Sequence, residues 1–212
     1  MIPSSPITVH HLENSRSQRV LWLLEELGEM YEVRRYERNQ LTLLAPPELK
    51  RVHPLGKSPI LEADGRVLIE TGAIVEHLVA RSGGELGPPP DDADGVRWRT
   101  FLHYAEGSLM PPLLAILVVG KLGPLGWPAR KPLRKMFATH LRWLEGELAD
   151  RDWFAGSAFS AADVTMSFPL EAARQRAGLG ARYPRLQAWL DRIHAREGYR
   201  RALERGGPYA LA

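Results

Sequence analysis

No cysteine occurs in the 212 residues, which excludes structural disulfides, thiolate metal sites and a nucleophilic thiol belonging to the protein itself. Sulfur chemistry, if any, must use a ligand's sulfur. The longest uninterrupted apolar run, Leu113 to Val119, falls far short of the roughly 20 residues that cross a bilayer, so no membrane partner is expected. The start, Met1 to Pro6, lacks a basic stretch followed by an apolar one; no signal peptide is expected, and the location is read as cytoplasmic. There is no repeat at a fixed period and no low-complexity tract, so the whole chain should fold. Neither G-x-S-x-G nor H-E-x-x-H is present, and the seven histidines make no pair at ligand spacing with a nearby acid. A hydrolase triad and a bound metal are therefore not expected. Gly178-Leu-Gly180 starts like a dinucleotide fingerprint but lacks the third glycine and follows a helix, so it reads as a helix-to-helix loop.

The charge that is present is balanced. The formal net charge is +3, and the densest basic stretch, Arg130 to Lys135, has the spacing of a solvated helix face, so no nucleic-acid partner is expected. Glu25-Glu26 and the pair Glu145/Glu147 likewise read as exposed helix faces, not as acid/base pairs.

Along the chain, Ile7–Leu12 alternates as a strand does, Ser17 to Leu27 carries apolar residues at helical spacing before Gly28, and Tyr31–Tyr36 reads as a second strand. A helical crossover makes these strands parallel. Two further strands, Pro59 to Glu62 and Val67 to Ile69, flank Asp64-Gly65, a strong hairpin signal. Thr71 can cap the next helix, which has Ile74, Val75, Leu78 and Val79 on its apolar side. The run Gly83-Gly-Glu-Leu-Gly-Pro-Pro-Pro90 continues neither helix nor strand. The expected division is 1–82, a small α/β domain, and 92–212, all-helical, with helices near 92–120, 128–150, 160–177, 184–195 and 197–205. Met110-Pro111-Pro112 should kink or break the first of these. Ser160-Ala-Ala-Asp163 matches a helix capping box, and its role is read as folding.

Three segments are the candidates for chemistry. Between the first strand and helix, Glu13-Asn14-Ser15-Arg16-Ser17 places hydroxyls at a helix N-terminus, where free N–H groups favour an anion; equally, Ser15 or Ser17 can simply cap the helix. Lys57-Ser58-Pro59 enters a strand. With a cis bond, Ser58 would offer its backbone to a ligand's peptide, and a trans edge proline is the alternative. Glu70-Thr71-Gly72 can hold both halves of an amino-acid head group, ammonium on the carboxylate and carboxylate on the helix N–H groups, or can be plain capping.

Taken together, the stretches His11-Leu-Glu-Asn-Ser-Arg-Ser-Gln-Arg-Val-Leu-Trp22, His53-Pro-Leu-Gly-Lys-Ser-Pro59 and Glu70-Thr-Gly-Ala-Ile74 resemble the cytosolic glutathione transferases, in particular the bacterial and fungal branch with a serine-rich loop. The resemblance implies a thioredoxin-like N-terminal domain with an all-α C-terminal domain, glutathione as co-substrate and a homodimer. It implies that Ser15, with Asn14 or Ser17 as other donors, supports the glutathione thiolate. Ser58 and Pro59 would hold the cysteinyl backbone, Glu70 and Thr71 the γ-glutamyl group, and Lys57, with Lys50 or His53, the glycine carboxylate. The thiolate would attack a small hydrophobic electrophile, or a peroxide oxygen, in an apolar cleft including Leu12, Tyr104, Ser108 and Met110. The alternatives are a non-catalytic member of the fold that serves as a binding module and, last, a nucleic-acid binder.

Overall fold

The computed structural model describes residues 6–90 and 92–212. By contact the described chain forms two compact units, one of residues up to Glu85 together with Ala195–Ala210 and Ala212, the other of Leu86–His194 with Leu211.

The first unit is a four-stranded sheet of order β2-β1-β3-β4. Strand β1 (Ile7–Leu12) pairs parallel with β2 (Tyr31–Tyr36), as the helical crossover α1 (Ser17–Glu26) requires, and antiparallel with β3 (Ile60–Ala63). Strand β4 (Arg66–Ile69) closes the hairpin through Asp64 and Gly65, both at positive φ as the turn demands. Every residue of β1 is buried: neighbours on both edges and cover on both faces leave no side for water. A short helix α2 (Leu49–Val52) lies in the connection between β2 and β3, its Leu49 packed with Leu12 and Ile60. Helix α3 (Thr71–Arg81) follows β4.

This unit also contains the last helix, α9 (Glu197–Gly206), packed on α1. Tyr199 meets Trp22 edge-on at 5.2 Å, and the Arg205 guanidinium lies 3.7 Å over the Tyr31 ring. Arg196 grips Glu26 through two bonds of 2.8 and 2.7 Å, while Arg201 donates to Glu25 at 2.8 Å. The expectation of an exposed Glu25-Glu26 face is thus corrected, since the two carboxylates keep only 11% and 10% exposure as anchors for α9.

The second unit is helical. Helix α4 (Asp92–Tyr104) passes through a π-helical turn (Ala105–Leu109) into α5 (Met110–Lys121). The expected interruption at Pro111-Pro112 therefore takes the form of a widened turn just ahead of the prolines, where the intrahelical bonding is re-registered around two missing donors. The 29-residue helix Ala93–Lys121 is long and apolar enough by composition to cross a membrane, something the short apolar run did not reveal. Its Trp98, Phe101, Leu102, Leu109 and Leu113 are buried, with α6 (Trp127–Glu147) and α7 (Ala161–Arg176) against it, which makes it a core helix. Helix α8 (Pro184–His194) completes the unit. Glu145 and Glu147 are also corrected. Glu145 accepts the N–H groups of Arg185 and Leu186 at the start of α8, and Glu147 pairs with Arg97 at 2.7 Å.

The capping box forms as expected, with Ser160 and Asp163 exchanging hydrogen bonds. Asp163 does more, for it is fully buried and also accepts from Phe154 N–H at 3.0 Å and Trp189 Nε1 at 3.1 Å. Burial pushes its carboxyl up to about 6 against the pull of these donors.

Candidate functional site

The pairing register sets where the candidate residues meet. His10 of β1 faces Ile60 of β3, which faces Ile69 of β4. The C-terminal end of β1, the entry to β3 and the exit from β4 consequently share one end of the sheet. Ser15 lies in the loop after the first of these ends, Ser58-Pro59 immediately precedes the second, and Glu70-Thr71 immediately follows the third.

The loop after β1 turns on Asn14, at φ 49°, a left-handed conformation that asparagine tolerates better than most residues. Its Oδ1 accepts Ala210 N–H at 2.7 Å, and Arg38 braces the loop through Glu13, its N–H donating to Glu13 Oε1 at 2.8 Å. Ser15, 5% exposed, accepts Ser17 N–H at 3.3 Å, and its carbonyl accepts Gln18 N–H at 3.2 Å. Ser15 thereby starts α1. Its Oγ lies 2.8 Å from Ser17 Oγ and 3.3 Å from Ser58 Oγ. Ser17 is wholly buried, with its Oγ 2.9 Å from His11 Nδ1.

The Ser58-Pro59 bond is cis. Ser58 Oγ donates to the His10 carbonyl at 3.2 Å, tying the β3 entry to β1, and Pro59 is buried beside Ile60. Lys57 is exposed ahead of it. His53 holds the preceding turn, its carbonyl accepting Gly56 N–H at 2.9 Å and its Nδ1 accepting Leu55 N–H at 3.4 Å. Gly56 sits at φ 55°, and a Cβ there would meet Lys50 Cγ at 2.6 Å, so the Lys50 stem lies across it.

Glu70 is exposed at φ 67°, ψ 123°. That is a costly backbone for a residue with a side chain, of the kind that concentrates at functional sites. Its carbonyl accepts Ile74 N–H at 3.0 Å as the cap of α3. Thr71 is the first helical residue, 3% exposed, and its Oγ1 accepts from Arg19 Nη2 at 3.3 Å. Arg19, a buried cation on α1 that links the first and third segments, escaped sequence reasoning; charge within an apolar helix stripe was its one signal.

His11 also escaped. It is 2% exposed, and burial, aided by the Arg35 charge, pushes its imidazole down to about 4, so it is neutral at physiological pH. Of the cleft residues expected, Leu12 is in the core cluster of the sheet unit, while in the helical unit Met110 is 8% exposed and the Tyr104 hydroxyl, bonded to His140 Nδ1, is pushed up to about 12 by burial. Among the described residues no three His, Cys, Asp or Glu side chains gather as metal ligands would.

This layout has counterparts among known proteins. Residues 5–80 match the family model "Glutathione S-transferase, N-terminal domain", and residues 128–192 match "Glutathione S-transferase, C-terminal domain". The chain is 35% identical to Glutathione S-transferase 3 of Schizosaccharomyces pombe over 213 residues, covering 94% of this chain and 87% of the relative. The chain belongs to the glutathione S-transferase family. A solved glutathione S-transferase from Actinobacillus pleuropneumoniae superposes with a TM-score of 0.87 at 33% identity, covering 97% of this chain and 95% of its own. A sphingomonad glutathione S-transferase solved in complex with glutathione gives 0.77 at 25% identity over 94% of this chain and 98% of its own. Both domains of a glutathione S-transferase are therefore present, the mixed sheet with its helices and the all-helical partner.

Proposed function

We propose that the end of the sheet formed by Ser15, Ser58 and Thr71 binds glutathione and ionises its thiol for attack on a small hydrophobic electrophile. The observation that carries this reading is the convergence of three segments distant in sequence, with Ser15 Oγ 3.3 Å from Ser58 Oγ and Arg19 bonded to Thr71. The backbone of Ser58, at the cis bond to Pro59, pairs with the cysteinyl residue of the tripeptide as an added strand. Glu70 takes the γ-glutamyl ammonium. Thr71 accepts from Arg19 and so keeps its own proton for the γ-glutamyl carboxylate, beside the positive end of α3. Lys57, with Lys50 or His53 near it, meets the glycine carboxylate.

The sulfur then lies against Ser15 at the N-terminus of α1, with Asn14 and Ser17 as its other candidate donors. A free thiol of pKa near 8.5 is a few per cent ionised at neutral pH; a hydroxyl donor and a helix N-terminus together lower that pKa by roughly one to two units. The released proton passes to water. The thiolate forms its bond to an electrophilic carbon as the leaving group departs with the bonding pair. In the same reading the protein is a cytoplasmic homodimer, 1–82 is the glutathione-binding domain and 92–212 contributes the electrophile's site. Thiolate absorbance followed against pH in the presence of glutathione tests the proposal. The expected thiol pKa is well below that of free glutathione and rises by about one unit in Ser15→Ala; an unshifted thiol in the wild-type protein would refute it.

A further inference from the structure

Behind the loop after β1, four side chains form one hydrogen-bonded row: His11 Nδ1, Ser17 Oγ at 2.9 Å, Ser15 Oγ a further 2.8 Å on, and Ser58 Oγ 3.3 Å beyond that. Each serine hydroxyl has one proton to donate, so the direction at one end of such a row decides the direction along it. The deciding end is His11. The backbone of Gly206, in the last turn of α9, also faces the ring and acts to raise its basicity. A group with that effect is an acceptor, which favours a ring N–H on its side. Nδ1 is the nitrogen turned to Ser17, which leaves Nε2 as the nitrogen to carry the proton.

A neutral imidazole has a single N–H, which leaves a lone pair on Nδ1, and Ser17 gives its proton to it. The other outlet for that proton, the Leu12 carbonyl at 3.4 Å, is the longer and weaker one. Ser17 Oγ must then accept from Ser15, because two oxygen lone pairs 2.8 Å apart with no proton between them repel. Ser58 does not compete for Ser15's proton, since it can satisfy the His10 carbonyl with its own. The proton of Ser15 therefore points into the protein and away from the ligand.

We propose that His11 is a positioning residue which, fixed as the Nε2–H tautomer by the end of α9, draws the protons of Ser17 and Ser15 inward and restrains how far the site ionises a bound thiol. This rests on the Ser15 reading above. The charged groups that face the ring are Arg35 and Glu13; burial and Arg35 keep it neutral down to about pH 4, so the lone pair on Nδ1 persists throughout the working range. A thiolate must win the Ser15 proton from Ser17, and part of the hydroxyl's effect is spent in that exchange.

Two substitutions release the restraint differently. Ser17→Ala removes the competing acceptor; His11→Gln keeps an amide donor toward Gly206 and removes the lone pair that pulls on Ser17. Measured by thiolate absorbance of bound glutathione, each variant is expected to lower the thiol pKa further, with roughly a three- to tenfold rise in the thiolate-to-thiol ratio at a fixed pH below the pKa. Combining either with Ser15→Ala should abolish the gain. A role confined to packing would leave the pKa unchanged or raise it, and either result in both variants overturns the proposal. Imidazole nitrogen shifts of the wild-type protein report the tautomer directly; an Nδ1–H ring at His11 also overturns it, even should Ser17→Ala fail to fold. If Ser15→Ala alone leaves the thiol pKa unmoved, the Ser15 assignment itself falls and this proposal with it, whereas a rise in Ser15→Ala without the gain in the other two rejects only the role of His11.

Discussion

Ser15 and Ser17 are two residues apart and are both candidate donors by sequence; in the fold Ser15 is 5% exposed and Ser17 0%. His11 behind them is detectable by acid. Its folded-state pKa of about 4 is depressed from 6.5, so below pH 6.5 the unfolded chain takes up a proton that the folded one refuses. The stability it supports is complete above that pH and is lost as pH falls toward 4. Asp163, raised to about 6 from 3.8, works in the opposite direction over much of the same window. The His11 effect is therefore expected in the difference between wild-type and His11→Gln denaturation midpoints, which should narrow as pH drops from 6.5 to 4; parallel curves would show that the ring is not buried as described. Ser15, Ser58 and Thr71 were legible because each sits at a helix or strand start with a recognisable neighbour. His11 and Arg19 were not, since neither alternation in a strand nor apolar spacing in a helix tells whether a neighbouring element covers the remaining face.

At the scale of elements, the row of donors on Asp163 makes the start of α7 a critical joint. Asp163→Ala would leave two backbone N–H groups, the Ser160 hydroxyl and Trp189 Nε1 without their acceptor in a dry interior. The expected cost is about 3–5 kcal/mol, read as a large drop in thermal midpoint, with a smaller loss for Asp163→Asn. A change within about 0.5 kcal/mol would mean that water reaches the cap. The strands, their hairpin and all the longer helices were legible from periodicity and turn chemistry. Helix α2 escaped because four residues, Leu49–Val52, are too few to show a period. The π-helical turn escaped for another reason: proline announces a disturbed ladder but does not say whether the chain will break or widen there.

On the scale of the whole molecule, sequence order and spatial grouping part at the C-terminus. Helix α9 has a helical pattern like its predecessors, but its contacts are with α1, through Glu25, Glu26 and Trp22, and Arg35 of β2 donates to the carbonyls of Glu204 and Arg205 at its end. Pairings this far apart along the chain leave no local trace. Removing residues after His194 should therefore damage the unit that carries Ser15 and Ser58. Calorimetric titration is expected to show glutathione affinity reduced at least tenfold in the truncated chain; affinity within twofold of wild type would contradict the assignment of α9 to that unit.

During synthesis the same arrangement imposes an order. The strands and loops that bring Ser15, Ser58 and Thr71 together emerge well before α9, which covers α1, and before Ala210 beyond it, whose N–H anchors Asn14. A nascent chain thus leaves the apolar and acidic face of α1 uncovered until α9 has been made, so that the sheet unit is completed only long after its strands have emerged.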